Sequence, residues 1–146
     1  MACTTCGGAH SGCNALAAFG SGGSALLPAN SLSIFKGTSR TLELHVIDST
    51  GKCVNITGAT IVFTLKKCAG DQFPIIQKTS ASILQVEITD PKGGVARIYL
   101  NPADTMNLDP GDYVYDVWII LASGKRYVLI PESTFTVLQG VTVLPP

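Results

Sequence analysis

The sequence predicts an antiparallel β-sandwich carried behind an extended N-terminal arm, and three observations support this. From about residue 31 onward, apolar and polar side chains alternate with period two, and turn residues recur roughly every 8–12 positions. No stretch of useful length carries the apolar spacing of an amphipathic helix, and no internal repeat is present. Charge divides the chain: the first 35 of its 146 residues hold no Asp, Glu, Lys or Arg, and Lys36 is the first charged residue. These features assign residues 1–31 to the arm and 32–146 to the sandwich.

Gly7, Gly8, Gly12, Gly20, Gly22 and Gly23 loosen the backbone of the arm, and Gly20-Ser-Gly-Gly-Ser24 resembles a flexible linker. Such a segment cannot build a core, so in water it is expected to be disordered unless a partner or a metal orders it. Ala25-Leu-Leu-Pro28 is the apolar stretch through which it could dock.

The first clear strand is Thr41 to Asp48, where Leu42, Leu44 and Val46 point one way and Glu43 and His45 the other. Asp48-Ser-Thr-Gly51 turns the chain. Ala59 to Lys66 alternates again, Ile61, Phe63 and Leu65 against Thr60, Val62 and Thr64. Ile83 to Thr89 reads as a strand, Asp90-Pro-Lys-Gly-Gly94 as a turn, and Val95 to Leu100 as the returning strand. Asn101-Pro-Ala-Asp-Thr-Met-Asn107 predicts one helical turn, with Asn101 as cap and Pro102 at the first helical position. Tyr113 to Leu121 is the longest strand; Arg126 to Ile130 and Ser133 to Leu138 complete the set.

One local signature narrows the class. In Leu108-Asp-Pro-Gly-Asp-Tyr113, a Tyr opens a strand directly after the Pro110-Gly111 turn. This looks like the tyrosine corner of immunoglobulin-like sandwiches, whose hydroxyl bonds back to the preceding backbone, so Leu108, Pro110, Gly111 and Tyr113 are expected to be structural. The alternative is an ordinary edge tyrosine after a turn. Trp118 lies on the same strand with the opposite parity, which leaves core packing, the expectation here, or contact with a partner.

Composition limits the function. Hydrophobic residues make up 46% of the chain and charged residues 14%, against about 25% charged in an average domain. Ten basic and ten acidic residues cancel, so no net field attracts nucleic acid or an anionic membrane. No apolar run reaches the roughly 18 residues that a membrane span needs. The start of the chain has neither the basic region nor the apolar core of a signal peptide, and Cys3 is too close to it for a processed lipoprotein cysteine. Synthesis in a cytosol is the expectation. A chain this poor in charge is expected to hide much of its outer surface against neighbours.

Potential chemistry concentrates in the arm, where Cys3, Cys6, His10 and Cys13 fall within eleven residues. Zinc takes four such ligands tetrahedrally and often starts from Cys-x-x-Cys, but the gaps here are tighter than those of a zinc knuckle. Metal ligation, disulfides and free thiols packed in an interface all remain open. Cys53 and Cys68 bring the count to five, and an odd count suits an intermolecular bridge or a spare thiol.

Catalysis finds little support. No nucleophile elbow, phosphate-binding loop or His-Glu-x-x-His motif is present. His45 on the polar face of its strand is expected to face solvent or an interface. Cys13 or Cys53 with His10 has no surrounding sequence to make a nucleophile pair. Glu87, Asp90 and Asp104 have no spacing that makes an acid–base pair.

Three segments carry a resemblance: Asp48-Ser-Thr-Gly-Lys-Cys-Val-Asn-Ile-Thr-Gly-Ala-Thr-Ile61, the run from Ile98 to Val117, and Gly124-Lys-Arg-Tyr-Val-Leu-Ile-Pro-Glu-Ser-Thr-Phe-Thr-Val137. Over about residues 32–140 the chain resembles small virion proteins of tailed phages, notably the N-terminal module of baseplate upper proteins and the short immunoglobulin-like domains that decorate capsids, collars and tails. The resemblance implies a structural virion subunit, made in the host cytoplasm, whose partners are other virion proteins and copies of itself. It implies nothing about the arm. A second reading is an immunoglobulin-like module that binds a host-surface glycan or protein. That reading needs an exposed aromatic platform, and Tyr113 and Tyr115 point together while Trp118 points away. A redox or metal-sensing role through the Cys/His arm is the third.

Overall fold

The computed structural model describes residues 31–142 in full and residues 13–19 as backbone. Two sheets face each other. One has the order β1 (Cys13–Phe19), β3 (Arg40–Asp48), β7 (Val95–Leu100), β6 (Val86–Asp90). The other has the order β2 (Leu32–Phe35), β9 (Arg126–Leu138), β8 (Gly111–Ile120), β4 (Thr60–Lys66), β5 (Ile76–Thr79). This strand order, with a tyrosine corner opening β8, is that of an immunoglobulin-like sandwich in which the sheet holding β8 and β9 carries one further strand, β5, beyond β4.

The alternation seen in the sequence becomes the core. Leu42, Leu44 and Val46 of β3 and Ala96, Ile98 and Leu100 of β7 meet Ile61, Phe63 and Leu65 of β4 and Tyr115, Val117 and Ile119 of β8, all buried. Immunoglobulin domains commonly pin this centre with a disulfide, its second cysteine two residues past the corner tyrosine. Tyr115 occupies that place. Its ring lies 5.6 Å from Phe63 and 6.0 Å from Phe135, and Phe63 and Phe135 are 6.5 Å apart in an edge-to-face arrangement. Aromatic packing on three adjacent strands therefore fills the position of the cross-link. Burial raises the Tyr115 pKa well above its ordinary value and keeps the phenol neutral.

Several elements differ from the sequence reading. Two pairings are parallel, β1 with β3 and β2 with β9; in both, the intervening chain is long enough that no hairpin is required. The strand expected from Ile83 begins at Val86, because the Ser82 carbonyl accepts the N–H groups of both Gln85 and Val86 and closes a turn. Ile83 and Leu84 stand exposed on that turn. Residues 126–130 and 133–138 form one strand, β9, whose register against β8 shifts twice, between Tyr115 and Trp118. Leu129 and Ile130 are consecutive yet both buried, a local break in alternation that a bulge produces. Four-residue β5 had no expected counterpart.

The helical turn forms as α1 (Pro102–Thr105), with Asn101 as cap and Pro102 first in the helix. Asp104 Oδ2 accepts the Asn101 N–H at 2.7 Å, and Lys78 Nζ reaches the same oxygen at 2.8 Å, joining α1 to β5.

Candidate functional site

The five-stranded sheet presents its outer face as a groove of about 450 Å³. The parity of β8 decides what lines it. Tyr113, Tyr115, Val117 and Ile119 point inward, so Val114, Asp116, Trp118 and Ile120 point out. The inward setting is fixed by the corner: the Tyr113 hydroxyl donates to the Asp109 carbonyl at 2.7 Å. Lys67 Nζ sits 4.4 Å from the centre of the Tyr113 ring and donates to the Asp112 carbonyl at 3.0 Å. Leu108 packs partly buried against the core, Pro110 is exposed, and Gly111 takes φ 145°, a backbone setting open to glycine.

Trp118 is 41% exposed, which corrects the expectation that it packs in the core. Its indole N–H donates to Asp116 Oδ2 at 2.9 Å, and this bond orients the ring. Across the sheet, Trp118 is opposite Val62 and Asp116 is opposite Thr64. The Gln77 amide donates to the Thr64 hydroxyl at 3.2 Å, tying β5 to β4 on this face. The far wall comes from the β4–β5 loop, which Lys66 Nζ closes on the Asp71 carbonyl at 2.8 Å. The near wall is the irregular part of β9. There Pro131, which has no N–H to donate, and Glu132 are exposed, and β2 pairs only with 135–138, so this part of β9 is a sheet edge among the described residues. Arg126 and Glu132 bring charge of both signs to the groove.

The opposite sheet carries a smaller polar group. His45 is 4% exposed, not solvent-facing, and its Nε2 lies 2.9 Å from Glu43 Oε1; Arg97 Nε approaches Glu43 Oε2 at 3.3 Å. The hydrogen bond to His45, then that to Arg97, holds the Glu43 carboxyl below its ordinary pKa. Tyr99 donates to Glu87 Oε1 at 2.6 Å, which raises the phenol's pKa. Glu87, Asp90 and Asp104 go to separate tasks: Glu87 to Tyr99, Asp90 to the Gly93 N–H, and Asp104 to the α1 cap.

Of the arm's candidate ligands, Cys3, Cys6 and His10 lie outside the described residues, as does the Ala25–Pro28 docking stretch. Cys13 opens β1, its backbone opposite Glu43. Cys53 is disulfide-bonded, its partner lying beyond the described side chains, while Cys68 is a free thiol exposed in the β4–β5 loop. Among the described residues no three metal-ligating side chains gather. The sequence reading did not identify the groove, although one signal was available. An inward Tyr113 together with strand parity places Asp116 and Trp118 side by side on the outer face.

No protein-family profile matches the chain, and none of the curated proteins does. Among solved structures the chain is similar to murine CRIg, at 11% identity over 75% of this chain and 92% of that one, with a TM-score of 0.36. The assignment to the immunoglobulin-like sandwiches stands on the strand order and the tyrosine corner.

Proposed function

We propose that the chain is a structural subunit of a tailed-phage particle, assembled through the margins of its sandwich and its uncharged N-terminal segment. The observation that carries this reading is apolar surface placed where a neighbour could cover it. Phe35 and Leu138 are register partners on β2 and β9, both outward and 53% and 37% exposed. Ile83 and Leu84 form a second exposed pair on the β5–β6 turn. Single exposed apolar residues are ordinary, but adjacent pairs in a chain with only 14% charge favour contact with other proteins. Repetition in a symmetric particle multiplies weak contacts of this kind. The resemblance of residues 32–140 to phage decoration and baseplate modules points the same way and names the partners as virion proteins and further copies of this chain.

The test is mass spectrometry of particles banded on a density gradient from the culture that encodes the chain. Its peptides should co-sediment with the major capsid and tail proteins at a fixed ratio, and their absence from the band would refute the assignment. The Phe35→Ser, Leu138→Ser double variant should fold and yet be incorporated poorly.

A further inference from the structure

We propose that the outer groove of the five-stranded sheet is a binding site for an uncharged glycan, with a pyranose ring stacked on Trp118. This goes beyond the virion reading and does not depend on it. The groove's volume falls within the roughly 300–1,000 Å³ of small-molecule sites, and its composition is theirs: an apolar floor with a few convergent polar groups. Trp118 supplies a flat, exposed apolar surface whose orientation is already fixed by its bond to Asp116, so binding has little ring freedom to remove.

The polar groups suit hydroxyls. A carboxylate has about four acceptor sites, so Asp116 can accept from sugar hydroxyls while still holding the indole N–H. Thr64 and Gln77 both donate and accept, and they are already joined 3.2 Å apart. At the rim, Arg126 and Glu132 add one charge of each sign, and Lys66 offsets Asp116. With that balance the groove has no net attraction for an anion or a cation, which favours a neutral, hydroxyl-rich ligand. A protein partner fits less well, because a stable interface needs about 800 Å² from each side, with charge depleted at its centre. Here charged side chains surround the aromatic.

Trp118 is the sole tryptophan, so its emission reports this groove alone. The full chain is titrated with a panel of neutral hexose and N-acetylhexosamine oligosaccharides, and with one sulfated oligosaccharide as the charged comparison. At least one neutral member should produce a saturable change in intensity and a blue shift, little affected by salt. Calorimetry with that sugar should then show a loss of about tenfold or more for Trp118→Ala, the size expected when an aromatic anchor is truncated. Asp116→Ala should weaken binding as well. Thermal melting checks that each variant folds, and Glu132→Gln on the β9 bulge provides a further variant away from the central strand. The proposal is overturned if no neutral sugar changes the emission, or if binding survives Trp118→Ala in a folded chain. It is equally overturned if only the sulfated sugar binds, or if emission changes with protein concentration alone, which would make a second copy the occupant.

Discussion

Gly94 shows how far one residue constrains this fold. It closes the β6–β7 turn at φ 72°, and its carbonyl accepts the Val46 N–H at 2.8 Å. A Cβ there would lie 2.6 Å from the Val54 carbonyl oxygen and 2.8 Å from that of Val46. Both obstacles are backbone, so neither can swing aside. Gly94→Ala should therefore destabilise by about 3 kcal/mol or more, combining strain at positive φ with displacement of a buried strand. Urea unfolding measures this, and a loss under about 1 kcal/mol would show that the turn can relax. Tyr113 is a milder case. Its ring stays buried in Tyr113→Phe, but the Asp109 carbonyl loses its donor, and a cost of about 1 kcal/mol in the same assay is expected. The sequence showed the corner because Pro110-Gly111-Asp112-Tyr113 is a contiguous signal. It did not show that Trp118 is exposed, because period-two alternation separates two faces without saying which one is buried. Only the corner settles that.

At the scale of elements, β5 and α1 depend on each other. β5 is a four-residue edge strand, too short to hold itself, yet Lys78 within it is 5% exposed. Asp104 of α1 makes that burial possible while also accepting the N–H of its own cap residue, Asn101. Asp104→Ala removes both partners and leaves an ammonium in a nearly dry site, so a loss of about 2–3 kcal/mol is expected. Lys78→Met removes the charge along with the need for it and should cost clearly less. In a denaturant series, equal losses for the two variants would mean that the pairing, not the stranded charge, carries the energy. Neither β5 nor this bridge was legible in the sequence. Ile76-Gln-Lys-Thr79 is too short for its alternation to stand out, and Lys78 reads as a surface residue until its distant partner is known. The β9 bulge was hidden for a related reason. Leu129-Ile130-Pro131 breaks the alternation, and two shorter strands satisfy that pattern as well as one bulged strand does. By contrast, β3, β4 and β7 were recovered almost to the residue, since β4 and β7 alternate strictly between buried and more exposed positions and β3 departs from that only at His45.

For the whole molecule, the uncharged N-terminal segment joins the sandwich through β1. On sequence it should find order only against a partner. In the fold, β1 runs parallel to β3 from the Cys13–Glu43 pairing to Phe19–Asp48, adding a fourth strand to that sheet. Cys53 pairs its backbone with Ile47 of β3 and carries a disulfide, so β3 is where these two features come together. That leaves Cys68, exposed on the far sheet's loop, as the free thiol among the described residues and as the one placed to bridge to a neighbouring subunit. Iodoacetamide added without reductant should label Cys68 and spare Cys53; after reduction it should label both. Reduction should also lower the melting temperature, since a native disulfide commonly contributes about 2–4 kcal/mol. Labelling of Cys53 in the untreated protein would show that it carries no disulfide, and no covalent stabilisation could then be assigned to it. If a disulfide-linked dimer disappears in Cys68→Ser, the odd cysteine acts between subunits. If the chain stays free of such dimers at high concentration, assembly relies on the apolar margins alone.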